Sequence, residues 1–174
     1  MYDFTKNVIH EIIFCHILFN RNKITNIVLL KNQTRSSMII EVVKKKEGNF
    51  QFEATNEQGN KAEMDGSPAI GGENKGVRPM EMLIMGLGGC SGIDILSILR
   101  KQKIEPLEFT MKIDAEREAD VIPSLFRKIH INFYFKGVDK DKADRAIKLS
   151  LEKYCSVAKT LEATAEITYS LITE

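Results

Sequence analysis

One stretch limits what this chain can fold into more than any other. It runs from Pro79 to Arg100 and carries Met80, Met82, Leu83, Ile84, Met85, Leu87, Ile93, Ile95, Leu96, Ile98 and Leu99. Proline opens it where a helix tolerates proline, because the first-turn N–H has no intrahelical partner anyway. Apolar residues then fall on nearly every side, which predicts a helix buried all round. Gly86, Gly88 and Gly89 sit just before Cys90, each at about 1 kcal/mol of helix stability relative to alanine. Such a run of glycines points to close approach of another backbone or of a ligand at that turn. Cys90 therefore lies on a deep helix beside space left by missing side chains. Cys155 follows much later, in Glu152-Lys153-Tyr154-Cys155-Ser156-Val157. The two thiols are expected to meet in the fold and to do redox chemistry together.

Length and charge narrow the class. A chain of 174 residues is most simply one domain with a real core. A net charge of +1 gives no electrostatic case for nucleic acid or for an anionic membrane surface. No uninterrupted run of 18 apolar residues occurs, so no membrane-spanning helix is expected. Three cysteines do not make a secreted disulfide framework. A reducing, cytoplasmic setting fits better, and there a cysteine pair is more often catalytic than structural.

Residues 1–37 differ from the rest in having no Gly, Ala or Pro. Val8 to Phe19 has about the length of a signal sequence, but Glu11, His10 and His16 interrupt it and no small-x-small site follows. His10, Cys15 and His16 are not assigned to a metal, because no second ligand cluster completes a site. No metal and no cofactor are expected. We read 1–37 as a poorly packed extension, or as translated sequence upstream of a start at Met38, and 38–174 as the folded domain. From Met38 onward the chain is slightly acidic.

Within that domain Met38 to Lys45 reads as a strand rich in β-branched residues. Phe50, Phe52 and Ala54 alternate with Gln51, Glu53 and Thr55, the period of a half-buried strand. Lys61 to Asp65 is a third, short strand, completing an antiparallel meander. A glycine-rich loop, 66–76, leads into the helix from Pro79 to about Gln102. Gly71 and Gly72 follow no strand and are no phosphate loop. Leu107, Phe109, Met111, Ile113 and Ala115 alternate along a fourth strand. Ile129, Ile131, Phe133 and Phe135 share one face of a fifth, with His130 on its polar face. Asp139 or Asp141 caps a helix from about Lys142 to Tyr154. A short helix from Val157 to Glu162 and a sixth strand carrying Ile167, Tyr169 and Leu171 complete the order β-β-β-α-β-β-α-β, an α+β fold.

Pro79-Met80-Glu81, Gly88-Gly89-Cys90-Ser91-Gly92-Ile93-Asp94 and Lys153-Tyr154-Cys155-Ser156-Val157, in this order and at this separation, resemble the OsmC/Ohr family of thiol-dependent peroxide-stress proteins. The forms are most similar to those of its YhfA-like branch, and the resemblance spans about Met38 to Glu174. It implies an intertwined homodimer in which sheets wrap paired central helices, with active sites at the subunit interface. It implies that Cys90 is the peroxidatic cysteine and that Cys155 resolves it. The thiolate would attack the O–O bond of an organic hydroperoxide, and the resulting sulfenic acid would condense with the second thiol. An external dithiol would then restore the pair.

One departure stands out. The family's characterised peroxidases pair the reactive thiol with an arginine from another part of the chain and with a glutamate directly after the proline that starts the helix. Met80 holds that place here, and Glu81 comes one residue later, turned by about 100°. Glu81 is retained as the candidate site carboxylate, with support of the helix dipole as its alternative role. Arg78 and Arg117 are the candidate cations. Asp94 shares a helix face with Cys90 and, if buried, must find hydrogen bonds or a cation. The competing function is a non-catalytic stress protein that holds a small apolar or acyl ligand at the dimer interface.

Overall fold

A computed structural model of the protein describes residues Ser37–Glu174. The readings made for 1–36, including His10, Cys15 and His16, lie outside the described residues. Among the described residues six strands and three helices follow in the expected order: β1 (Ile40–Lys44), β2 (Phe52–Asn56), β3 (Lys61–Met64), α1 (Pro79–Lys101), β4 (Glu108–Arg117), β5 (Phe126–Lys136), α2 (Lys140–Leu149), α3 (Ser156–Leu161) and β6 (Glu166–Thr173). A 3₁₀ turn at Pro68–Ile70 and a π-helical turn at Ser150–Tyr154 are inserted among them. Val42–Thr55 and Lys61–Glu174 form one compact unit, and Asn56–Asn60 is a turn closed on the Asn56 side chain.

The strands form two three-stranded sheets, ordered β1-β2-β3 and β4-β5-β6. β4 and β5 pair antiparallel, Phe109 opposite Phe135 and Ile113 opposite Ile131. β6 pairs with β5 in parallel, so the chain between them must cross over, and it does so through α2 and α3. Strict alternation on β5 has the expected result. Ile129, Ile131, Phe133 and Phe135 are all buried and share one cluster with Leu87, Ile95 and Leu99 of α1 and Ala143, Ala146 and Ile147 of α2. Phe109 stacks on Phe135 at 4.4 Å between ring centroids, and Tyr169 of β6 meets Phe133 edge-on. On the other face His130 is bonded to Thr168 and Ser170, away from the thiols.

Asp139 caps α2, accepting the Lys142 N–H at 3.2 Å. Asp144 of the same helix accepts from Tyr169 Oη at 2.7 Å and pairs with Lys148, tying α2 to β6. Burial raises the Tyr169 phenol above its usual range, with Asp144 adding to the effect. Gly137 ends β5 at φ 76°, and Leu107 occupies the space a side chain there would need. The loop after β3 is held by Asp65, whose buried carboxylate accepts from the backbone N–H of Gly66, Glu73 and Lys75 at 2.7, 2.9 and 3.0 Å. The Lys75 N–H is the main reason that this carboxyl sits below the usual carboxylate range.

Three expectations need correction. α1 is buried on one side only: Leu87, Gly88, Ser91, Gly92, Ile95 and Leu99 face inward, while Met85 is 53% and Ile93 69% exposed. The glycines divide accordingly. A side chain at Gly88 or Gly92 would press on Ile113 or Met111 of β4, whereas Gly86 and Gly89 have nothing within 4 Å among the described residues. Just before β2 the expected burial is reversed. Gln51 is buried, reached by the Gly48 turn and by Glu73, and the flanking Phe50 and Phe52 are exposed. Leu107 precedes β4 and is 75% exposed. By length and composition α1 would suffice to cross a membrane, and one third of its most apolar 18-residue window is buried inside the domain.

Candidate functional site

The two thiols are brought together by α1, the π-helical turn and the start of α3. Cys90 is half-buried on α1, and Cys155 is fully buried at the N-cap of α3. Both are free thiols, and Sγ of each lies within 4.8 Å of the other and of an Asp94 carboxylate oxygen. Asp94 is four residues after Cys90, one helical turn along the same face.

Serines fix this geometry. Ser150 Oγ donates to the Ser91 carbonyl at 3.3 Å, joining the end of α2 to α1. The Cys155 N–H then bonds back to the Ser150 carbonyl at 2.8 Å, five residues earlier, which is the π-helical spacing. That extra residue per turn delivers Cys155 against α1. Ser91 Oγ donates to the Leu87 carbonyl at 2.6 Å and lies 3.5 Å from Cys155 Sγ. A hydroxyl has one hydrogen, and the shorter contact claims it. Cys155 S–H is therefore the donor to Ser91. The sulfur in turn accepts the Ala158 N–H at 3.4 Å. Burial is the main cause of a raised Cys155 thiol pKa, so the proton stays on this sulfur at neutral pH. Ser91 and Ser150 were missed in the sequence. The available signal was a serine directly after the helical cysteine, where a hydroxyl can bond back to the carbonyl four residues earlier.

Glu81 lies elsewhere. Its carboxylate accepts the Arg78 backbone N–H at 2.9 Å, closing the first turn of α1. Nine residues separate it from Cys90, a rise of about 13 Å and a rotation that places the two on opposite helix faces. Glu81, Arg78 and Arg117 instead line a groove of about 720 Å³ between α1 and β4, floored by Met80, Ile84, Met111, Ile113 and Phe126. Neither cysteine lines it. Arg117 is itself held to the Ser124 carbonyl at 2.7 Å. A second cleft, of about 440 Å³, reaches Asp94 and is walled by Lys101, Arg145 and Tyr154.

A two-sheet α+β fold built on a glycine-rich central helix, with a thiol on that helix facing a second thiol at a helix cap, defines a class. The chain belongs to the OsmC-like protein family, whose model matches residues 72–170. Protein YhfA of Escherichia coli strain K12 is 44% identical over 109 residues, which cover 62% of this chain and 78% of that protein. A solved structure of a hypothetical protein from Aquifex aeolicus VF5 is 27% identical at a TM-score of 0.65, covering 80% of this chain and 98% of that one. An organic hydroperoxide resistance protein from Legionella pneumophila has the same fold at 15% identity and a TM-score of 0.62, covering 80% of this chain and 98% of that one.

Proposed function

We propose that this protein is a thiol-dependent peroxide reductase acting on organic hydroperoxides, with Cys90 attacking and Cys155 resolving. The observation that carries the reading is the approach of the two sulfurs to within 4.8 Å across widely separated parts of the chain. The Cys90 thiolate attacks the O–O bond, forming Cys90–SOH and releasing the alkoxide, which takes a proton to leave as the alcohol. The Cys155 thiol then displaces the hydroxyl, which takes up the thiol proton and leaves as water, and a disulfide forms. A dithiol of the cytoplasm returns two electrons and two protons to the pair by exchange. Because the thiolate is the nucleophile, Cys155 must pass its proton to the leaving hydroxyl as the S–S bond forms.

The working unit on this reading is residues 38–174, assembled as a homodimer. Cys90 stands at the border of the exposed face of α1, near Gly86 and Ile93. A site at a subunit seam agrees with that position, and a partner could bring a cation to Cys90 there. Glu81 would act from the groove side, its carboxylate fixing the first turn of α1 through the Arg78 N–H. The groove itself favours a second reading, a protein that holds an acyl or other apolar ligand with its acidic end toward Arg78 and Arg117.

Peroxide consumption separates the two. Purified protein is given cumene hydroperoxide with dithiothreitol or a lipoylated reductant, and wild type is compared with Cys90→Ser and Cys155→Ser. Turnover that depends on Cys90, with a Cys90–Cys155 disulfide found by peptide mapping, is expected. Equal, slow consumption by wild type and Cys90→Ser would overturn the enzymatic reading and leave the ligand-binding one.

A further inference from the structure

We infer that the reduced Cys90–Asp94–Cys155 cluster is a binding site for one borderline-soft divalent cation, with Zn²⁺ as its type. The inference stands on the arrangement of the donors and not on whether the thiols turn over peroxide.

Geometry comes first. Two sulfurs and a carboxylate oxygen converge with all separations within 4.8 Å. Around a tetrahedral zinc, with Zn–S about 2.3 Å and Zn–O about 2.0–2.2 Å, the donors would sit about 3.5–3.8 Å apart. Closing the cluster therefore takes shifts of about 1 Å or less, the scale of a small side-chain torsion. Cys90 has freedom to make it, being half-buried and next to Gly89, which has open space beside it. A fourth position remains for solvent, as in zinc sites with three protein ligands.

Donor chemistry comes second. Asp94 Oδ2 is a buried oxygen with no hydrogen-bond partner among the described residues. Buried acceptors are nearly always satisfied, and a cation seated between the sulfurs and this carboxylate would satisfy it. Two sulfurs with one carboxylate select zinc, cobalt or cadmium over magnesium and calcium, which take oxygen shells. The Ala158 N–H to Cys155 Sγ is the kind of outer hydrogen bond that orients a thiolate ligand and spreads its charge. Two thiolates, one carboxylate and a divalent ion leave one net negative charge. Lys101 and Arg145 line the cleft that reaches Asp94, which puts positive charge on the solvent side of the carboxylate. On coordination each thiol gives its proton to solvent, and no electron moves. A coordinated pair of sulfurs is held apart from disulfide formation, so occupancy by the ion and oxidation of the pair exclude one another.

The test uses the full chain carrying Cys15→Ser, His10→Ala and His16→Ala, which removes the other cysteine and nearby histidines as ligands. The protein is reduced with a phosphine, desalted and titrated with Co²⁺ under nitrogen. The expected result is thiolate-to-cobalt charge-transfer absorption with tetrahedral ligand-field bands, saturating at one ion per chain and displaced by Zn²⁺. Asp94→Asn, a near-isosteric change whose fold is checked by circular dichroism, should weaken binding about tenfold or more. Cys90→Ser should lose a large part of the charge-transfer intensity. As an independent readout, Zn²⁺ should slow alkylation of Cys90 in the parent and not in Asp94→Asn. Absence of the charge-transfer band, or a band that neither Asp94→Asn nor Cys90→Ser alters, would overturn the inference. Disulfide mapping of metal-free samples after peroxide treatment reports separately on the redox reading.

Discussion

Replacing Gly86 and Gly89 together by alanine tests what covers the exposed face of α1. Within one protomer the change should be favourable. An added Cβ at either position meets nothing within 4 Å among the described residues. Each substitution gains about 1 kcal/mol in helix propensity. Two would give about 2 kcal/mol, or about 4–8 °C in midpoint for a chain of this size. The proposed homodimer predicts otherwise. If a second α1 packs on this face, the glycines are its contact points and the added methyls overpack the seam at about 1–3 kcal/mol. The dimer dissociation constant should then rise about 5- to 150-fold. Sedimentation equilibrium of wild type and variant reads the association. Urea unfolding at two protein concentrations separates that term from protomer stability. We expect weaker association with little or none of the midpoint gain. A variant that is about 2 kcal/mol more stable with self-association unchanged would refute helix pairing across these glycines.

Two further outcomes follow from the described contacts. Asp65→Asn should loosen the loop after β3, because an amide cannot serve all three backbone donors as a carboxylate does. The carboxyl's folded pKa is depressed, so its contribution is present above the unfolded value of about 3.9 and disappears as pH falls through the folded value. Thermal midpoints of wild type and variant should thus differ at neutral pH and converge toward acid. A gap that stays constant down to acid pH would contradict the role assigned to the charge. Phe133→Ala, at the centre of the cluster and fully buried, should cost about 3–5 kcal/mol in denaturant unfolding. A loss below about 1 kcal/mol would show that β5 is not the core strand.

Much of this architecture is legible in the amino-acid sequence. The alternation along β5 placed its buried face correctly, and proline and aspartate marked where α1 and α2 begin. The meeting of Cys90 and Cys155 was also anticipated. What escaped depended on contacts between distant segments. The π-helical turn exists because Ser150 bonds to the Ser91 carbonyl while its own carbonyl takes the Cys155 N–H, and no local preference encodes that choice. Gln51, just before β2, is buried because the Gly48 turn and Glu73 close over its side chain, while its aromatic neighbours stay exposed. Alternation gives two faces and does not say which one turns inward. Glu81 was kept as a site carboxylate for its nearness to Pro79, yet helical rotation carries it to the groove and Asp94 into the thiol cluster.

The parallel pairing of β6 with β5 has a kinetic consequence. The entire excursion from Lys136 to Glu166, with Cys155 inside it, must be threaded before the last strand can dock. Sequence-distant pairing of this kind is slow relative to local structure. During refolding the backbone amides of β6 should therefore gain hydrogen-exchange protection after those of the antiparallel β4–β5 pair, so their time course is a clock for closure of the sheet.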